Sequence, residues 1–141
     1  MSAFDLEAFL PYQLAVLAER TSRAFEAEYR ARFGIGVAEW RVLAHLSQSP
    51  SVSVRDIQRQ VSMEKSRVSR AAGRLEASGF ILRRPDPADG RLLALELTDK
   101  GRGLIATMAP VAAAFEAEIM ERLGPDGEAF RRSLRALLSD D

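Results

Sequence analysis

The chain has 141 residues, a length that fits one domain with a real core, and its 47% apolar content is ordinary for a globular protein. With 20 basic and 20 acidic residues there is no net charge, so the totals point to neither a nucleic acid nor a membrane. The absence of cysteine excludes disulfides, thiolate metal sites and thiol chemistry, and a lone histidine argues against zinc, so no metal or cofactor is expected.

No run free of Asp, Glu, Lys and Arg exceeds 13 residues (42–54 and 103–115). That is short of the roughly 18 a membrane span needs. The N-terminus MSAFDLEAF is acidic where a signal peptide is basic. The expectation is a soluble, cytoplasmic protein without a membrane partner.

Over 11–33, Leu14, Leu17, Ala18, Thr21, Phe25 and Tyr29 form a helical stripe, with Pro11 suited to the first turn and Gly34-Ile-Gly36 as the stop. A second helix is predicted over 38–46 (AEWRVLAHL), with Trp40, Leu43 and either Ala44 or Leu46 inward; SQSPSVS ends it. Ser53-Val-Arg-Asp56 has the spacing of a capping box and opens a short helix to about Gln60. Ser62 can cap the next helix, with Glu64 in its first turn near the positive end of the dipole. That helix runs to about Ser78, and Gly79 ends it.

After Gly79 the period changes from that of a helix to 2. FILRR reads as a strand, and in LLALELT the residues Leu93, Leu95 and Leu97 alternate with Leu92, Ala94 and Glu96. The Pro, Asp and Gly residues between them are turn formers, so the two strands make a hairpin with its tip near Ala88 to Gly90. Thr98 can cap a long helix to about Leu123, with Leu104, Met108, Val111, Phe115 and Ile119 as its stripe. Gly124-Pro125 breaks it, and Phe130, Leu134, Leu137 and Leu138 mark a last helix. An isolated hairpin is marginal in water and must lean on the helices before it. The fold class is mainly α with a small β-hairpin: a winged helix-turn-helix over 34–98, flanked by terminal helices over 4–33 and 99–141.

Charge is unevenly placed. From Ser53 to Arg91 nine basic residues face five acidic ones, a net +4 that leaves −4 for the rest of the chain. On a helical wheel Ser66, Arg67, Arg70, Gly73 and Arg74 fall on one side, and Val68, Ala72, Leu75 and Gly79 on the other. One face packs and the other is basic, with no carboxylate among its arginines. Arginine and serine hydrogen-bond phosphates and base edges in a major groove wide enough for a helix. Lys65, Ser66, Arg67, Ser69, Arg70 and Arg74 are therefore candidates for double-stranded DNA contact, with Ser53 and Arg55 on its backbone. Arg91, beside a glycine turn, could enter an adjacent minor groove. Asp89 reads either as a turn stabiliser or as the partner that orients Arg91. Arg83 and Arg84, at the hairpin base, either contact phosphate or only solvate the strand.

In combination, three stretches resemble the MarR family (multiple-antibiotic-resistance regulators) of bacterial transcription factors. LEASGFILR, over 75–83, is similar to the family's end of recognition helix and first wing strand. Asp86-Pro-Ala-Asp89-Gly-Arg91 is similar to its wing signature, and Leu97-Thr98-Asp-Lys-Gly101-Arg102 to its entry into the long helix. A small Ala71-Ala72-Gly73 run stands where the family more usually has a bulkier apolar residue. The resemblance implies a homodimer built from the first helix and the last two. Their apolar stripes lie outside the winged unit and need each other or a second chain. Two-fold symmetry then sets two recognition helices about 34 Å apart on a pseudo-palindromic operator. The resemblance further implies release of DNA, as from a repressor, when a small aromatic or anionic molecule binds. Tyr12, Arg20, Trp40 and His45 are candidates for that site, since ring faces and a cation suit an aromatic carboxylate. Residues such as Trp40 and Tyr12 are more often core or dimer contacts, and Arg20 can equally be a solvated cation of the first helix.

An enzyme is not expected. Gly101-Arg-Gly103-Leu-Ile-Ala106 matches a dinucleotide-binding pattern, but the helical stripe that follows leaves no second parallel strand. Close approach of the wing explains Gly101 better. The alternative function is a winged helix that binds protein rather than DNA, which predicts an apolar or acidic face where Arg67, Arg70 and Arg74 stand.

Overall fold

Left-handed glycines punctuate the helical part. Helix α1, Leu10–Phe33, carries Pro11 in its first turn and ends at Gly34, whose φ of 68° turns its N–H back to the Arg30 carbonyl. Helix α2 follows over Val37–Ser47. Next come strand β1 (Val52–Ser53), helix α3 (Val54–Val61) and helix α4 (Lys65–Ala77), closed by Gly79 at φ 82°. Strands β2 (Ile81–Pro85) and β3 (Leu93–Leu97) precede helix α5 (Asp99–Leu123), a 3-10 turn (Gly124–Asp126) and helix α6 (Gly127–Leu138). This computed structural model describes residues 3–49, 51–61, 63–86 and 88–139. The cap expected of Ser62 lies outside them. Glu64, expected in the first turn of α4, occupies the N-cap position and makes no side-chain cap bond.

The expected two-stranded hairpin is part of a three-stranded antiparallel sheet in the order β1-β3-β2. Val52 pairs with Leu95 and Ser53 with Ala94, while β2 runs along the other edge from Ile81↔Leu97 to Pro85↔Leu93. A strand of two residues has no period to read, and its partner is distant in sequence. The sheet also overrides the alternation expected of β3. Ala94 and Leu95 point to opposite faces and both are buried, whereas Leu93 is exposed. On α2, Val42 joins Leu43 and Leu46 in the core; Trp40 and Ala44 are half-buried.

Chain contacts define two compact units, Met1–Met108 and Ala109–Asp141. In the first, α2, α3 and α4 pack on one another and on the sheet around Val42, Leu43, Ile57, Val68, Leu75 and Leu95, all essentially without solvent contact. Leu104 and Met108, from the start of α5, complete that core. A second, aromatic layer joins α1 to α2: Tyr29 stacks on Trp40 at 5.2 Å and 15°, and Phe25 meets both rings edge-on. In the second unit Gly127 is buried against Met120, and Arg131 pairs with Glu116 at 3.1 Å. Pro110 lies inside α5.

The root of the wing is bound to the start of α5. The Thr98 N–H donates to the Phe80 carbonyl at 3.0 Å, the Thr98 hydroxyl to the Gly79 carbonyl at 2.5 Å, and the Lys100 ammonium to the Ser78 carbonyl at 2.6 Å. The Thr98 hydroxyl also accepts the Gly101 N–H, which makes it the expected cap of α5. A Cβ on Gly101 would stand 2.2 Å from the Phe80 carbonyl oxygen, so close approach to the wing dictates glycine there, as expected.

The run Asp99–Leu138 is more apolar on average than its charge-free stretches suggest. It holds an 18-residue window of mean hydropathy 1.4, apolar enough by length and composition to cross a membrane, and 11% of that window is buried. Alanines on either side of scattered carboxylates raise the average where a count of uncharged runs stops.

Candidate nucleic-acid interface

Helix α4 buries Val68, Ala71, Ala72 and Leu75 and leaves Lys65, Ser66, Arg67, Ser69 and Arg70 exposed. The two fully buried alanines give it a narrow inner face, on which it packs against α2 and α3. Among the described residues no carboxylate lies within ion-pair distance of Lys65, Arg67 or Arg70. All three cationic heads are available at the surface.

Other basic residues of this region have partners. Arg74 donates from Nε and Nη2 to a single oxygen of Glu39 on α2, the Nε bond being 2.9 Å; the Glu39 side chain is 10% exposed. The arginine face is therefore not free of carboxylates in three dimensions, although it is so along α4. Arg83 pairs with Glu76 at 3.1 Å, tying β2 to α4, and Arg84 with Glu96 of β3 at 2.8 Å. The Arg84 side chain stays largely exposed, whereas that of Arg83 is mostly covered. Ser53 departs from the expectation of a backbone contact. It is buried, and its hydroxyl accepts the Asp56 N–H at 3.1 Å, so it faces into α3 as a cap. Arg55, two residues on, is exposed.

At the wing tip both readings of Asp89 hold together. Its carboxylate accepts the backbone N–H of Arg91 at 3.1 Å and grips the guanidinium through Nε at 3.1 Å and Nη2 at 3.2 Å. The Arg91 side chain is 91% exposed, a cation carried outward on a braced stalk. The hydrogen bonds from Arg91, helped by the charge of Arg55, hold the Asp89 carboxyl below the usual carboxylate range. Asp86 shapes the turn beneath by accepting the N–H groups of Ala88 at 2.8 Å and Asp89 at 3.3 Å.

The four effector candidates do not converge. Tyr12 and Arg20 line one hollow of about 330 Å3 along α1, together with Glu7, Gln13, Val16 and Leu17. Trp40 belongs to the aromatic layer with Tyr29, and His45 is half-buried near the end of α2. A hollow of similar volume between the end of α2 and the start of α5 is lined by Leu46, Ser47, Leu97, Arg102 and Ile105.

A family model described as MarR family matches residues 33–92, the stretch that holds α2 to α4 and most of the wing. An HTH-type transcriptional repressor of Mycobacterium tuberculosis is 32% identical over 108 residues, 76% of this chain and 78% of its own. The chain belongs to the MarR family. Among solved structures, the MarR/EmrR family regulator of Acinetobacter sp. ADP1 is 28% identical and superposes with a TM-score of 0.83 over 96% of this chain and 94% of its own. BpsR of Bordetella bronchiseptica, whose DNA binding is regulated by 6-hydroxynicotinic acid, shares the fold at 22% identity, with a TM-score of 0.83 over 99% of both chains. As a MarR protein the chain is a winged-helix DNA-binding transcriptional regulator and not an enzyme.

Within this MarR fold, the sequence reading missed the carboxylates Glu39, Glu76 and Glu96 that hold Arg74, Arg83 and Arg84. Glu39 left one local signal. It is three residues past Gly36 at the start of α2, the capping-box spacing, and its carboxylate does accept the Gly36 N–H at 2.6 Å. Nothing local announces its second partner, 35 residues away.

Proposed function

We propose that this regulator acts as a homodimer on pseudo-palindromic double-stranded DNA, as a repressor that a small aromatic or anionic effector releases. The observation that carries the DNA reading is the exposed cationic set on α4, Lys65, Arg67 and Arg70, beside a wing whose tip holds Arg91 outward on Asp89. Lys65, Ser66, Arg67, Ser69 and Arg70 meet the major groove, Arg91 the adjacent minor groove, and Arg55 and Arg84 the phosphates. A protein-binding winged helix would need an apolar or acidic surface on α4, and this one is cationic. A chromosomal target sets the site of action in the cytoplasm.

The homodimer reading is supported by apolar side chains that the single chain leaves in solvent. Leu10, Leu14 and Leu17 are exposed on α1, and Phe130, Leu134, Leu137 and Leu138 on α6. A second copy covering these faces also accounts for the membrane-like hydropathy of the α5 run. The effector reading is supported by the Tyr12 and Arg20 hollow, where a ring face, a guanidinium and the aliphatic Val16 and Leu17 suit an aromatic carboxylate.

Selection of bound fragments from genomic DNA, followed by fluorescence anisotropy on the enriched duplex as salt is raised, tests this function. The expected result is a pseudo-palindrome bound by two chains, with log affinity falling linearly in log salt concentration. Absence of any enriched or salt-dependent binding at low ionic strength would refute it.

A further inference from the structure

Glu39 is the one carboxylate among the described residues that is buried as a whole residue, at 8% exposure, and each of its oxygens is engaged. One takes the Gly36 N–H and so closes the first turn of α2; the other takes both Nε and Nη2 of Arg74, near the end of α4. A carboxylate removed from water in this way demands charged and well-aimed donors. Its second anchor is the helix that carries Arg67 and Arg70.

That helix needs an angular restraint. At the centre of its inner face stand Ala71 and Ala72, fully buried but too short to interlock deeply with a neighbour; only Val68 and Leu75 project as larger wedges. With an outer radius of roughly 5–6 Å, a helix rotated by about 20° moves its side-chain tips by about 2 Å, far beyond the tolerance of a hydrogen bond to a base edge. Arg74 lies four residues after Arg70, on the same side of α4. Pinning Arg74 to α2 therefore fixes the direction in which Arg70 points.

We propose that Glu39 is a positioning residue for DNA recognition: by clamping Arg74 it sets the rotation of α4, and Arg74 acts through this clamp rather than by touching DNA. The inference rests on the reading of α4 as the DNA-contacting helix. It assigns Arg74 a different duty from Arg67 and Arg70, although all three share one face in sequence.

The test measures anisotropy on the genomically enriched duplex and on a scrambled duplex of equal length, for Glu39→Gln, Arg74→Met and the double variant, with thermal unfolding of each. Glutamine keeps an acceptor for the Gly36 N–H and loses the charge that holds the guanidinium. Each single variant is expected to lose about ten-fold in preference for the enriched duplex. The double variant should lose no more than either single one, and the salt slope on the scrambled duplex should stay unchanged. Arg74→Lys, which keeps the charge but cannot supply two donors from a planar head, should show the same loss and serves if another variant does not fold. The proposal is overturned if Glu39→Gln lowers only the unfolding temperature and leaves the preference intact. It is equally overturned if Arg74→Met lowers the salt slope by about 0.9, the signature of a lost phosphate contact. If the unmodified protein prefers no duplex, the DNA reading itself fails and the clamp has nothing to position.

Discussion

Arg70 stands on the exposed face of α4 with no carboxylate of the described residues within ion-pair distance, the condition for a guanidinium to exchange water for a base edge. Replacing it with alanine should cost roughly 1–3 kcal/mol on the enriched duplex and relax preference at one base position. Equal weakening on every sequence, read by anisotropy, would instead mark a phosphate contact. Tyr29 makes a prediction about pH. Burial, and then the negative charge of Glu26, push its phenol from 10.0 up to about 12. A raised phenol means that the folded chain keeps a proton the unfolded chain gives up. The stability this represents is complete below pH 10 and is lost as pH climbs from there through about 12. In a Tyr12→Phe variant, where Tyr29 is the one remaining tyrosine, phenolate absorbance should rise only near pH 12. A midpoint at 10 in the folded protein would show the ring to be in water. Legibility at this scale followed sequence distance. The grip of Asp89 on Arg91 spans two residues and was readable beforehand; that of Glu39 on Arg74 spans 35 and depends on how two helices pack.

Helices α1 and α4 stop at left-handed glycines, Gly34 and Gly79, and such stops are why the helical order could be read from the chain. The sheet could not, because β1 exists only by pairing with β3 and brings no periodicity of its own. Ser53 joins the two levels, as the last residue of that strand and the cap of α3. Ser53→Ala is expected to lower the stability of the protein by about 1 kcal/mol in chemical denaturation, with the slope unchanged. An unchanged midpoint would show that the bond to the Asp56 N–H contributes nothing. Gly101→Ala should cost more, roughly 1–3 kcal/mol, because its obstacle is the Phe80 backbone rather than a side chain able to swing aside. A variant as stable as the parent would mean that wing and helix separate freely at this point.

A neutral total charge hides a chain divided by task, with net +4 over 53–91 and net −4 elsewhere. The cationic part carries the face proposed for DNA, and the remainder keeps the molecule from behaving as a polycation that binds any anion. Each of the terminal helices α1 and α6 carries exposed apolar side chains, Leu10, Leu14 and Leu17 on the one and Phe130, Leu134, Leu137 and Leu138 on the other. Leu134→Asp on α6 is therefore expected to spare the fold of the winged unit, reduce the solution mass from that of two chains to one, and weaken operator binding by at least ten-fold. A monomeric mass for the unmodified protein at micromolar concentration would refute the dimer. The knot of hydrogen bonds between the wing root and Thr98 and Lys100 has a mechanical consequence. With these bonds across one junction, the wing root and the first turn of α5 are joined as one piece, so that displacing either carries the other with it.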